Sequence, residues 1–149
     1  MRNGSEVEIL LVEDNDNDAE MTMRALRKRN LANSLARVKD GAEALDFLFC
    51  RGAYEERGNN PSPKVVLLDL HLPKIDGIEV LRKVRANTKT AQLPVVVLTS
   101  SNEEKDIIET YKLGVNSYIV KPVDFEKFMD SVASVGLYWL LLNQPPIVK

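Results

Sequence analysis

Val65-Val66-Leu67-Leu68-Asp69 is the stretch on which the fold turns: four branched apolar residues ending on a carboxylate. A run this short, apolar without alternation, predicts a strand covered on both faces, and such strands belong to parallel sheets flanked by helices. Three more runs share the pattern. Ile9-Leu10-Leu11-Val12 stops at Glu13-Asp14, Val95-Val96-Val97-Leu98 at Thr99-Ser100, and Ser117-Tyr118-Ile119-Val120 at Lys121-Pro122. In open parallel sheets chemistry gathers outside the carboxyl ends of the strands. Carboxylates, a hydroxyl and a lysine delivered to one edge suit a divalent cation and a phosphoryl group.

Helical patterns separate the runs. Asn15-Asp16-Asn17-Asp18 offers several N-caps, and Asp18 to Arg29 places Met21, Ala25 and Leu26 at helical spacing. Asn33 to Lys39 is a weakly signalled strand. Asp40-Gly41 opens a helix with Ala44, Leu45, Leu48 and Phe49 on one face. After the strand Val65 to Asp69 and a loop, Gly77 to Val84 is helical, with Asp76 as its cap. Val95 to Leu98 follows Pro94. Ser101 or Asn102 is expected to cap the next helix, which has Ile107, Ile108 and Tyr111 as apolar positions and stops at Gly114. Ser117 to Val120 is the fifth strand, and a last helix is expected from Asp124 to about Asn143. This βα alternation predicts a doubly wound α/β sheet with right-handed crossovers in one domain, residues 1–149.

The chain has 149 residues, 44% of them hydrophobic, which suits one covered sheet. A net charge of -2 argues against general nucleic-acid binding. One cysteine, Cys50, allows no internal disulfide, as expected in a reducing cytoplasm. Met1 to Glu8 lacks a signal-peptide core, and no apolar stretch is long enough for a membrane span. The expectation is a cytoplasmic protein with neither nucleic acid nor membrane as partner.

Two stretches exceed what the fold needs. Arg51 to Pro63 is long and rich in Gly, Asn and Pro; it reads either as a partner-binding loop or as solvated slack. From Val132 to Leu142 nearly every residue is apolar, where an outer helix needs one stripe. A homodimer contact through Leu137, Tyr138, Trp139 and Leu141 is the leading account. The other is that Pro145-Pro146 and Ile147-Val148 fold back over this face.

Glu13-Asp14, Asp69, Thr99 and Lys121-Pro122, in this order on these strand ends, resemble a response-regulator receiver domain of two-component signalling, from about Glu8 to Phe128. The Arg51–Pro63 loop and the ending Tyr138-Trp139-Leu140-Leu141-Leu142-Asn143 are similar to the single-domain regulators of bacterial phytochrome kinases. The resemblance implies a flavodoxin-like (βα)5 sheet of order 2-1-3-4-5, which brings Asp14 and Asp69 together. Paired carboxylates repel, and a hard cation, Mg²⁺, relieves them. By the family pattern Asp14 and Asp69 bind it directly, Glu13 through water, and the backbone carbonyl of His71 is a further ligand. An imidazole ligand at His71 is disfavoured, since Mg²⁺ prefers oxygen.

The resemblance further implies that Asp69 is the phosphoacceptor for a sensor histidine kinase, a bacterial phytochrome, with Lys121 and Thr99 binding the phosphoryl oxygens. His71, Ser100 and Ser101 would support the site and tune hydrolysis of the acyl phosphate. Thr99 and Tyr118 would form the switch, with Tyr118 turning inward. Pro122 would follow a cis peptide that aims Lys121. The chain would act only on itself and not as an enzyme with a separate substrate. Met21, Met23, Arg24 and Arg27 offer a kinase contact or a solvated face. Three other readings compete. An aspartyl phosphatase would carry Asp-x-Asp on the first strand, and a flavodoxin-like cofactor binder a Ser/Thr/Gly-rich phosphate loop. An unphosphorylated scaffold would have lost one of the residues named here, and none is missing.

Overall fold

The computed structural model describes residues 7–28, 34–58 and 62–121. In chain order they form β1 (Ile9–Val12), α1 (Asp16–Lys28), β2 (Leu35–Val38), α2 (Gly41–Leu48), a 3-10 turn (Gly52–Arg57), β3 (Val65–Leu68), α3 (Gly77–Ala86), β4 (Val95–Thr99), α4 (Glu104–Lys112) and β5 (Ser117–Val120). The five strands make one parallel sheet in the order β2-β1-β3-β4-β5. The expected order and fold class are both observed.

Strand side chains alternate between faces with period two, so a strand apolar at every position feeds two cores. Leu10, Val12, Val66, Leu68, Val95 and Val97 join Val38, Leu45 and Leu81 in one cluster. Ile9, Leu11, Val65, Leu67, Val96 and Leu98 join Ala19, Ala25 and Leu26 in the other. The three central strands β1, β3 and β4 are thereby buried on both sides, while the edge strands β2 and β5 are mostly half-buried. Each helix returns against the strand direction. The carboxyl ends of the strands therefore share an edge with the helix N-termini, and the helix C-termini lie at the opposite edge.

The helix starts are set by side-chain caps. Asp40 accepts from the Glu43 N–H (2.7 Å), and the Glu43 carboxylate accepts from the Lys39 N–H (3.0 Å). Asp76 accepts from the Glu79 N–H (3.0 Å), as expected. At α1 the cap is Asn15, which accepts from the Asp18 N–H at 2.9 Å, so the helix begins at Asp16 and not at Asp18. At α4 neither expected cap occupies the N-cap position. Glu103 stands there, and the Ser101 hydroxyl accepts from its N–H at 3.3 Å. Ile108 and Tyr111, read as apolar positions of this helix, are 46% and 53% exposed, and Thr110 is its buried residue. The stretch 124–143 lies outside the described residues.

One feature fixes each edge of the sheet. Gly77 opens α3 against the end of β3: a Cβ there would run into the Asp69 carbonyl and the Leu70 Cα. At the far edge, Arg85 of α3 donates to the carbonyls of Leu93, Leu113 and Gly114 at 2.7–2.8 Å, tying α3 to the chain entering β4 and to the turn before β5.

Candidate phosphoacceptor site

Four neighbouring strand ends build the site. Val12 pairs with Leu68, Leu68 with Val97, and Thr99 with Val120, so the residues after β1, β3 and β5 emerge together beside Thr99. Asp69 lies in the middle and is buried. Its two carboxylate oxygens have different donors: the His71 N–H reaches Oδ1 (3.2 Å), and Lys121 Nζ reaches Oδ2 (3.2 Å). Lys121 also donates to Glu13 Oε1 (2.7 Å) and Asp18 Oδ2 (2.8 Å). One ammonium thus holds three carboxylates.

Glu13, Asp14 and Asp69 each place a carboxylate oxygen within 4.8 Å of the others. Glu13 is only 2% exposed, whereas Asp14 faces solvent. Oxygens on an octahedral shell of about 2.1 Å radius lie roughly 3–4 Å apart, so small side-chain movements would close this set on one hard cation. The donor set is all oxygen, and the His71 side chain is exposed with only its backbone engaged at Asp69. The residues fit a small divalent cation.

Burial and charge oppose each other here. Burial pushes Glu13 up to about 7; its hydrogen bond to Lys121 works against this, and the Asp69 charge works with it. Burial would raise Asp69 too. The Lys121 charge, the His71 N–H and the Thr99 hydroxyl together hold it below the usual carboxylate range. For Lys121, burial favours the neutral amine, but its bonds to Asp18 and Glu13 outweigh that and keep it protonated. The site therefore presents an ionised Asp69 and a charged Lys121, with a proton on Glu13 that leaves near neutrality.

Thr99 is fully buried at the end of β4, and its hydroxyl accepts from the Ser101 N–H (3.3 Å). Ser100 is exposed. The buried Ser101 donates its hydroxyl to Asp106 Oδ2 of α4 (2.6 Å). Tyr118 of β5 is half-buried against the core, and its phenol donates to the Ser101 carbonyl (2.9 Å). Thr99, Ser101, Asp106 and Tyr118 thus form one connected path from the site to α4 and β5, with Tyr118 already engaged at the loop after β4. Pro122, Leu137, Tyr138, Trp139 and Leu141 lie outside the described residues.

Two residues escaped the sequence reading. The sequence offers Asp18 only as a possible cap, yet its carboxylate holds Lys121. Its signal was position: the first turn of a helix leaving β1 lies at the active edge. Arg37 of β2 donates from Nε and Nη2 to the Glu13 carbonyl (2.9 and 2.7 Å) and from Nη1 to Asp16 (2.9 Å). A lone arginine inside Leu35-Ala36-Arg37-Val38 was the available hint.

Residues 9–133 match the family model of the response regulator receiver domain. FilR2 of Methanothrix harundinacea, named a probable methanogenesis regulatory protein, is 41% identical over 93% of this chain and 86% of its own length. Response regulator Rcp1 of Synechocystis sp. is 39% identical, covering 89% of this chain and 88% of its own. The solved Mn²⁺-bound form of Rcp1 superposes with a TM-score of 0.85 at 38% identity, over 95% of this chain and 99% of that one. The phosphorylated cyanobacterial phytochrome response regulator RcpA gives 0.86 at 36% identity, over the same shares.

Proposed function

Because this chain belongs to the response regulator receiver domain family, we propose that Asp69 takes a phosphoryl group from a phosphohistidine of a sensor kinase and that the α4–β5 surface reports it. One observation carries this reading: each oxygen of Asp69 has its own donor, in a pocket where two more carboxylates stand within cation-sharing distance. Asp69 is ionised, as a nucleophile must be. One of its oxygens attacks phosphorus in line with the histidine nitrogen. The P–N bond breaks, its electron pair stays on the imidazole, and an acyl phosphate remains on Asp69.

The new charge is met by groups already in place. Lys121 shifts from the carboxylates to a phosphoryl oxygen and keeps its proton. Thr99 donates its hydroxyl to a second oxygen, and the backbone N–H groups near His71 and Ser100 serve the rest. Asp14, Asp69 and the His71 carbonyl would hold the cation, Mg²⁺, with Glu13 supporting it through water. Bound there, it would neutralise charge spread over the phosphoryl oxygens. Hydrolysis reverses the gain: water attacks phosphorus and the bond to Asp69 breaks. The Ser101 hydroxyl is committed to Asp106, so its influence on this step runs through the loop after β4 and not through the water itself.

Thr99 moving toward the phosphoryl group loosens its contact with Ser101, and Tyr118 and α4 follow through their bonds to the same residue. The chain acts on itself and takes no separate substrate. The likeness to Rcp1 and RcpA supports a bacterial phytochrome as the kinase. The apolar sequence from Val132 to Leu142 supports self-association as a further property.

The test is intact mass after incubation with Mg²⁺ and a small phosphodonor. Wild type is expected to gain one phosphoryl group, which EDTA abolishes and Asp69→Asn lacks. A folded wild type that gains none would leave a scaffold. An autophosphorylated bacterial phytochrome, offered beside an unrelated kinase, tests the partner: rapid transfer from the former alone is the expected result.

A further inference from the structure

Arg57 takes no part in the site above, and its own surroundings are unusual. The residue is 8% exposed, and its guanidinium lies 3.8 Å from the centroid of the Phe47 ring. Nη1 makes one long contact, 3.7 Å to Cys50 Sγ, and Nε is buried with no hydrogen-bond partner. Among the described residues no carboxylate stands within ion-pair distance. Arginines this buried are ordinarily paired, because an uncompensated charge away from water is costly.

Arg57 lines a cleft of about 750 Å³ between the C-terminal ends of α2 and α3, within the range of small-molecule sites. Arg51, Lys83 and Lys89 line it too, and among the described residues no acidic one does. Arg51 pairs with Asp46 and Lys83 with Glu79, both at exposed positions where such pairs contribute little. Lys89, like Arg57, has no carboxylate partner among the described residues. The carbonyl ends of the two helices offset roughly half a charge each, which leaves the cleft net positive.

We propose that this cleft binds a phosphate-bearing small molecule, with Arg57 and Lys89 as its counter-charges. A phosphate monoester brings about -1.5 to -2 charge and three strong acceptors, which matches two cations without a carboxylate partner among the described residues better than a single carboxylate does. Phe49, whose ring carries the Arg51 guanidinium at 5.4 Å, supplies an apolar wall for an organic body. The cleft opens at the sheet edge opposite Asp69, so its occupancy can be read separately from phosphotransfer.

The experiment follows backbone amide shifts of the ¹⁵N-labelled chain, free of metal in EDTA, on titration with AMP, adenosine and inorganic phosphate. AMP is expected to shift the amides of Cys50–Gly58 and Ala86–Lys89 saturably, and adenosine is not. R57M is expected to weaken binding by about tenfold or more. K89E, at an exposed position, is expected to weaken it several-fold and keeps the test open should R57M fold poorly. Tighter binding of AMP than of inorganic phosphate identifies an organic phosphate as ligand, and equal binding identifies the free anion. No saturable shift in the cleft with either phosphate, equal binding of adenosine, or unchanged binding in both variants would overturn the proposal.

Discussion

Without a cation, Glu13 titrates at about 7 instead of near 4.5, chiefly because it is buried. The folded chain therefore holds this proton more tightly than the unfolded chain does. The stability Glu13 contributes is complete below about pH 4.5 and is lost as pH rises through about 7. A divalent ion competes with the same proton. Mg²⁺ affinity is accordingly expected to be about tenfold weaker at pH 6 than at pH 8, with proton release on binding. Calorimetry in buffers of different ionisation enthalpy checks both, and Glu13→Gln should flatten the pH dependence. Affinity that stays constant across this range would mean Glu13 is already ionised. At this scale Asp69, Thr99 and Lys121 were legible as polar residues closing apolar runs. Arg37 and Asp18 were not, because their partners, a backbone carbonyl and a lysine far along the chain, leave no mark in the local pattern.

Among the elements, α3 shows how tightly one helix start constrains the chemistry. Its first residue is packed on the backbone of Asp69 and Leu70, neither of which can swing aside as a flexible side chain could. Gly77→Ala is expected to destabilise the fold by about 1–3 kcal/mol and to slow phosphorylation by displacing Asp69. Urea unfolding and the rate of mass gain read these two effects; stability and rate both unchanged would show that the helix shifts freely. The strands were legible because runs of four or five apolar residues between polar edges admit few other readings. The start of α1 was not, since residues 15–18 can all cap a helix and the choice falls to tertiary contacts, among them Asp18 on Lys121. The same holds for α4, where periodicity in nine residues does not say which apolar side chains stay outside, as Ile108 and Tyr111 do.

Over the whole molecule, the parallel order and the two-sided burial of the central strands explain why the candidate site lies at one rim of the sheet. The proposed self-association through the apolar sequence from Val132 to Leu142 concerns the whole molecule. Sedimentation is expected to give a dimer for the full chain and a monomer for Trp139→Glu combined with Leu141→Glu. A wild-type monomer at tens of micromolar, or a dimer unaffected by the two glutamates, would return the apolar face to an intramolecular role. The rim itself joins residues far apart in the chain, since Lys121 closes on Glu13 across 108 positions. During synthesis at about 5–20 residues per second, Glu13 and Asp14 leave the ribosome several seconds before their counter-ion does. A nascent chain therefore displays these carboxylates for seconds without the ammonium that gathers them in the finished fold.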